Sequence, residues 1–411
     1  MVYQPPTGAR DLFPLDVAQK RWLEERLHQV FQRWGYHQII TPTLERLETL
    51  LAGGAVDPST VLQLHDNDND VLGLRPELTA PIARAAVTRL AGVALPQRLY
   101  YNANVFRRST QGPRQRQQEI YQSGVELLGA GGIMADGEVI LLLVNCLNAL
   151  GLNQWHLVLG EAELTRSLLE PFPESSREQV RTAIAHLDRL ALDAMALDDN
   201  LKQRAITLFD LRGEPKDVLQ RVSSLDLTAP QQTIVSNLKS LVEMLEASCP
   251  NQPFCTLPSF ILDLSLIRPF DYYTGIVFEV IHQTATGYST LGQGGRYDQL
   301  LGLYHPQGEG IPGIGFVLNM DDVQKVLAPK GHLPQSTPTS HWLIVPKSLD
   351  AGAAAFVYAQ RIRESTNLVR VEVDLGLYAE PEKARTYAKQ RQIPQIAWVD
   401  SDGIPDIEAI R

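Results

Sequence analysis

The chain has 411 residues, 44% hydrophobic and 20% charged, the make-up of an ordinary globular protein with length for about two or three domains. A formal net charge of −10 argues against a nucleic-acid partner, because neutralising phosphates takes clustered Lys and Arg. Cys146, Cys249 and Cys255 are too few, and lack the CxxC spacing, for a disulfide framework or a cysteine zinc site.

The opening MVYQPPTGARDLFP has no basic segment followed by an apolar stretch, so no secretory signal is expected. The most apolar run, VILLLVNCLNALGL, is too short and interrupted to span a bilayer, and a cytoplasmic location is expected. An amphipathic pattern predicts a helix from Asp16 to Trp34, stopped by Gly35. GYHQIITPTLE (35–45), rich in β-branched residues and broken by Pro42, reads as a strand at an edge or interface. HDNDND (65–70) reads as a polar turn between two strands and lacks the spacing of a calcium loop.

RLYYNANVF (98–106) and EIYQSGVELLG (119–129) read as antiparallel strands joined by the polar loop RRSTQGPRQRQQ. A helix over 136–150 and a strand at WHLVLGE (155–161) follow. Between 165 and 250 apolar residues recur at helical spacing, as at Val180, Ile184 and Leu187 and at Ile234, Leu238, Leu241 and Leu245, which predicts a helical insertion. Strand signals return at FILDLSLI, YYTGIVFEVI and GYSTLGQGG, and GIPGIGFVLNMDDVQKVL reads as a turn and a helix. Residues 328–340, APKGHLPQSTPTS, read as a linker between a core over 1–327 and a second domain over 341–411. In that domain HWLIVP, AAAFVYAQRIRE, VRVEVDL, EPEKARTYAKQ and QIAWVD alternate strand and helix. This predicts a small parallel α/β domain that stops soon after its third strand.

Five segments carry a resemblance when taken in order: GYHQIITPTLE, LRPELTAPIARA (74–85), FRRSTQGPRQRQQEIYQSGVE (106–126), LIRPFDYYTGIVFE (266–279) and LGQGGRYDQLL (291–301). GIPGIGFVLNMDDV (310–323) then stands where a last motif belongs. Over roughly residues 1–327 the chain resembles the catalytic core of the class II histidyl-tRNA synthetases. The resemblance implies an α+β fold, a mostly antiparallel sheet flanked by helices, with the helical insertion and a truncated α/β domain similar to an anticodon-binding domain. The first segment resembles the motif that builds the family's dimer interface, so a homodimer is expected.

A pocket for free histidine needs acids for the ammonium, a cation for the carboxylate and a polar partner for the ring. By resemblance Glu77, Thr79 and Gln122 hold the ammonium, and Glu126 and Tyr273, with Tyr272 beside it, read the imidazole. Arg107 and Arg268 stand where the family puts cations facing carboxylate and phosphate. No metal and no other cofactor is expected.

The departures concern ATP. The family's last motif ends in Glu-Arg, with the Arg on the γ-phosphate; here the pair is Asp321-Asp322. Opposite charges about 4 Å apart attract by roughly 4 kcal/mol near a protein surface, so inverting one sign works against a triphosphate. Asn319 replaces a glycine that lets the backbone come close. The second motif reads Phe106-Arg107-Arg108-Ser109, without the Glu that contacts adenine; its loop is one residue longer, and Pro113 follows its glycine. From Ser340 to Arg411 there are 9 Lys/Arg against 10 Asp/Glu, not the basic face of an RNA binder.

An amino-acid pocket kept without its phosphate clamp implies binding without chemistry. The resemblance thus narrows to a paralogue family, the regulatory subunits of ATP phosphoribosyltransferase. It implies a non-catalytic, hetero-oligomeric partner of the short-form catalytic subunit, with histidine as small-molecule ligand carrying feedback on the first step of histidine biosynthesis. Neither tRNA nor a membrane is expected as a partner. The alternative is an active histidyl-tRNA synthetase.

Overall fold

The structure, a computed structural model, describes residues 3–54, 56–66, 70–108, 118–248, 259–266, 272–284, 287–366, 368–377 and 380–410. The chain divides into two compact units, Met1–Leu333 and Pro334–Arg411. Among the described residues no helix is long and apolar enough to cross a membrane.

The first unit begins with α1 (Pro14–Arg33), β1 (His37–Gln38), β2 (Leu44–Arg46), α2 (Leu47–Leu51), β3 (Gln63–His65), β4 (Val71–Leu74) and α3 (Thr79–Thr88). The long hairpin β5 (Gln97–Phe106) and β6 (Glu119–Leu128) follows, then α4 (Ile133–Ala149) and β7 (Trp155–Glu161). The insertion holds α5 (Ala162–Leu169), α6 (Glu174–Ala185), α7 (Arg189–Ala194), α8 (Asp199–Phe209), β8 (Arg212–Gly213), α9 (Pro215–Ser223) and α10 (Ala229–Ser248). The chain then returns through β9 (Ser259–Asp263), β10 (Ile276–Thr284), β11 (Gly287–Arg296), β12 (Gly313–Asn319) and α11 (Met320–Leu327).

Nine strands form one sheet in the order β1-β5-β6-β12-β11-β10-β7-β9-β8. Its pairs are antiparallel except β1 with β5 and β7 with β9. A strand sends alternate side chains to opposite faces. Tyr100, Val125 and Leu127 therefore join α1 and α4 in the main core on one face, while Leu99, Tyr101, Val105 and Leu128 pack with α3 on the other. Helix α4 is apolar nearly all round, from Val139 to Leu147, as a helix buried on every side must be. The face shared with α3 carries the candidate site.

Three readings from sequence need correction. GYHQIITPTLE is not one strand but two, β1 in the large sheet and β2 in a three-stranded sheet ordered β2-β4-β3. The break has a cause beyond Pro42: buried Arg75 donates Nη1 to the carbonyls of Thr41 (2.7 Å) and Pro42 (3.2 Å), and Nε to that of Asn104 (2.9 Å). Carbonyls turned onto a guanidinium are satisfied there without a ladder partner. Secondly, GIGFVLN, read as part of a turn, is the central strand β12 between β6 and β11. Thirdly, the second unit has a fourth strand. The strands flanking HDNDND, β3 and β4, pair antiparallel, and the expected turn falls on residues 67–69, which lie outside the described ones.

That second unit comprises β13 (Trp342–Pro346), α12 (Gly352–Ser365), β14 (Val371–Val373), α13 (Pro381–Gln390), β15 (Gln395–Val399) and β16 (Pro405–Ala409), in sheet order β14-β13-β15-β16. The first three strands are parallel and β16 is antiparallel. Ile344, Ala397 and Val399 pack on α12, and Leu343, Val345 and Ile396 pack on α13, so helices cover both faces. Pro405 opens the added strand, a position where its missing N–H costs nothing.

Candidate functional site

The turn from β4 into α3 delivers Glu77 and Thr79 to the apposed face of the sheet. Glu77 accepts the backbone N–H of Ala80 at 3.0 and 3.1 Å, capping the first turn of α3. Burial holds its carboxyl above the usual carboxylate range, against the pull of the Ala80 and Thr79 donors and of Arg107. Thr79 donates its hydroxyl to Glu126 Oε1 at 2.8 Å. Arg107, at the end of β5, donates Nε to the Pro76 carbonyl at 2.7 Å and faces Glu77.

On β6, side chains four residues apart share a face, so Gln122 and Glu126 point together into the pocket. Gln122 is 3% exposed and donates Nε2 to Asn319 Oδ1 at 3.1 Å, which leaves its Oε1 as an acceptor. Glu126 is 1% exposed and accepts Thr79 and the Tyr297 hydroxyl. Desolvation pushes its pKa up to about 8; those two donors oppose the shift and Glu77 adds to it.

Tyr272 and Tyr273 stand ahead of β10 with ring centroids 4.6 Å apart, and Tyr297 meets Tyr272 edge-on at 6.0 Å. The insertion braces this segment: Arg166 on α5 donates to the Tyr273 carbonyl (3.2 Å), and Thr165 to that of Leu264 (2.8 Å). The floor is glycine. A Cβ on Gly295 would lie 2.7 Å from the Tyr273 ring, and one on Gly315 would fall on Glu126 Oε2. Gly295, Gly313 and Gly315 thus serve close packing against the pocket, whereas Gly292 and Gly294 would meet Leu318 and Phe278 on the main-core face.

The structure brings Glu77, Thr79, Arg107, Gln122, Glu126, Tyr272 and Tyr273 around one pocket. Arg268 lies outside the described residues. Sequence reasoning missed Tyr297 and Gln293, which also line it. Both stand in LGQGGRYD, Gln293 just before the glycine pair and Tyr297 two residues after it.

The departures at the end of β12 are filled by partners from this chain. Asp321 pairs with Arg10 at 2.6 Å and accepts the Tyr121 N–H at 3.3 Å; Asp322 pairs with Lys325 at 2.9 Å. The Asn319 side chain holds Gln122. Of the second motif, residues 109–117, including Ser109 and Pro113, lie outside the described ones. The arrangement offers acceptors for an ammonium, a guanidinium for a carboxylate, and an acid and phenols for a polar ring. At positions 321 and 322 it places negative charge.

Residues 8–323 match the family model described as Histidyl-tRNA synthetase. A relative from Nostoc sp. PCC 7120, named ATP phosphoribosyltransferase regulatory subunit, is 60% identical over 410 residues, covering 100% of both chains. One of the same name from Synechococcus elongatus is 53% identical over 415 residues, covering 100% of this chain and 98% of the other. Among solved structures, an ATP phosphoribosyltransferase regulatory subunit/histidyl-tRNA synthetase from Bacillus halodurans aligns with a TM-score of 0.81 at 26% identity, over 97% of this chain and 99% of that one. The histidyl-tRNA synthetase of Nostoc sp. PCC 7120 aligns with a TM-score of 0.76 at 19% identity, over 100% of this chain and 97% of that one.

Proposed function

The chain belongs to the histidyl-tRNA synthetase family and, within it, to the ATP phosphoribosyltransferase regulatory subunits, and from that footing we propose how it works. It is a non-catalytic subunit for the first step of histidine biosynthesis, assembled in the cytoplasm with a short-form catalytic subunit, and free histidine in the pocket carries the feedback signal. The carrying observation is one pocket lined by Glu77, Gln122 and Glu126, while Asp321 and Asp322 stand where the resemblance puts the cation for a triphosphate. The identities with the two Nostoc sp. PCC 7120 proteins support the same reading: 60% with the regulatory subunit and 19% with the synthetase.

In this reading the ligand ammonium sits against Glu77 and the free Oε1 of Gln122, its carboxylate against Arg107, and its ring against Glu126 and the tyrosines. Glu126 is held by Thr79, the first residue of α3. Five residues on, Arg84 bridges to Glu45 of β2 at 2.6 Å. A ligand competing for Glu126 therefore acts on the helix that links the pocket to the small sheet, where Ile40 (84% exposed) and Leu44 mark the expected dimer surface. Two assays on the purified chain test the proposal. Calorimetry is expected to show histidine binding, and histidine-dependent ATP–pyrophosphate exchange is expected to stay at background. Robust exchange overturns it.

A further inference from the structure

Among the described residues the least exposed acid of the pocket has no ionic partner. Glu126 accepts one neutral hydroxyl at each oxygen, Thr79 at Oε1 and Tyr297 at Oε2. Among the described residues no Lys, Arg or His forms an ion pair with it. Arg107 spends Nε on the Pro76 carbonyl and stands against Glu77, and Arg296 is held by Asp136 and Asp298. The other titratable groups that face it are neutral or acidic: Glu77 from the turn before α3, Tyr101 on β5 and Tyr272 ahead of β10. From β12 Gly315, which carries no charge, stands against its Oε2. A lone carboxylate in such a place is unfavourable, and the group keeps its proton instead.

We propose that this pocket selects its ligand by the basicity of the ring, the ring and Glu126 sharing a single proton that the empty pocket supplies. The inference rests on the histidine reading above and adds what the site demands of the ring. The balance is simple. The empty pocket holds Glu126 as the acid, and free histidine near neutral pH brings a neutral imidazole with one nitrogen lone pair. On binding, the carboxyl proton moves onto, or is shared with, that nitrogen; no other bond changes, and no proton is exchanged with solvent. The ring gains a hydrogen-bonded anion, and Glu126 gains a cation that no described residue supplies.

The pH dependence follows with a definite sign. Above about 8, where the empty pocket loses its proton, each binding event must recapture one, and affinity falls about tenfold per pH unit. Below the ordinary histidine pKa of about 6.5 the ligand arrives with its own proton, one must leave, and affinity falls again. Binding is strongest between these limits. An isosteric ligand with a much less basic ring, such as 1,2,4-triazol-3-ylalanine, cannot take the proton and binds at least tenfold more weakly at pH 7.

The test is calorimetry on the full chain with L-histidine and with the triazole analogue. Each is titrated at pH 7 and pH 9 in pairs of buffers with different ionisation enthalpies. Histidine is expected to take up close to no protons at pH 7. At pH 9 the parent protein is expected to take up about one proton more on binding histidine than Glu126→Gln does, a difference that cancels the shared α-ammonium. The variant keeps the shape and cannot release a proton. Equal affinity of the parent for the two ligands at pH 7, or equal uptake by parent and variant at pH 9, overturns this inference alone. A parent protein that binds histidine at no pH overturns it together with the proposed function.

Discussion

Gly315 and Glu126 are register partners across β12 and β6, and the pocket depends on one of them having no side chain. A Cβ at 315 would fall on Glu126 Oε2 and on the Val125 carbonyl, and the second of these cannot swing away. Gly315→Ala is expected to cost about 1–3 kcal/mol of stability by overpacking and to weaken histidine binding by displacing Glu126. A denaturant melt and a calorimetric titration read the two effects. Glu126→Ala removes the ring's partner outright. Leaving a desolvated polar group unpaired costs roughly 1–3 kcal/mol, so histidine should bind about fivefold to 150-fold more weakly. Unchanged affinity would mean that the ring lies elsewhere. Most of these residues were legible because each sits in a short motif whose chemistry matches one part of an amino acid. Tyr297 was not, because its partner Glu126 lies 171 positions away and nothing local in the sequence pairs the two.

Strand β12 was hidden for a related reason. Gly313 and Gly315 alternate with Ile314, Phe316 and Leu318, whose side chains all enter the main core. Glycine at every second position resembles a turn in sequence; in the sheet it is the face that must let Tyr297 and Glu126 come close. Amphipathic helices and the β5–β6 hairpin were easier, since their periodicity is local. The tie between β11 and α4 is not local: Arg296, 7% exposed, pairs with Asp136 at 2.6 Å and with Asp298 at 2.8 Å. Arg296→Met strands Asp136 without its cation and should destabilise the fold by about 3–5 kcal/mol, as breaking one side of a buried pair does. Guanidinium unfolding of parent and variant checks this, and a loss below about 1 kcal/mol would show that the pair is dispensable.

At the scale of the whole molecule, the class of fold was readable because ordered motifs constrain one sheet. The fourth strand of the second unit was not, since PDIEA carries little of the β-branched signal that strands usually show. The exposed Ile40 and Leu44 beside β1 and β2 fit a surface covered by a second copy, and static light scattering at micromolar concentration should return a dimer mass. A monomer would leave that apolar surface to the catalytic partner alone.

The central claim is that the chain lends regulation, not chemistry, to a phosphoribosyl transfer. Its most direct measurement is the ATP phosphoribosyltransferase activity of a purified short-form catalytic subunit, with and without this chain, across a histidine titration. The account predicts that activity depends on adding the chain, and that histidine suppresses it in the complex over the same range in which calorimetry finds the isolated chain binding histidine. Activity that is indifferent to the chain, in a mixture shown by light scattering to contain no complex, would contradict it.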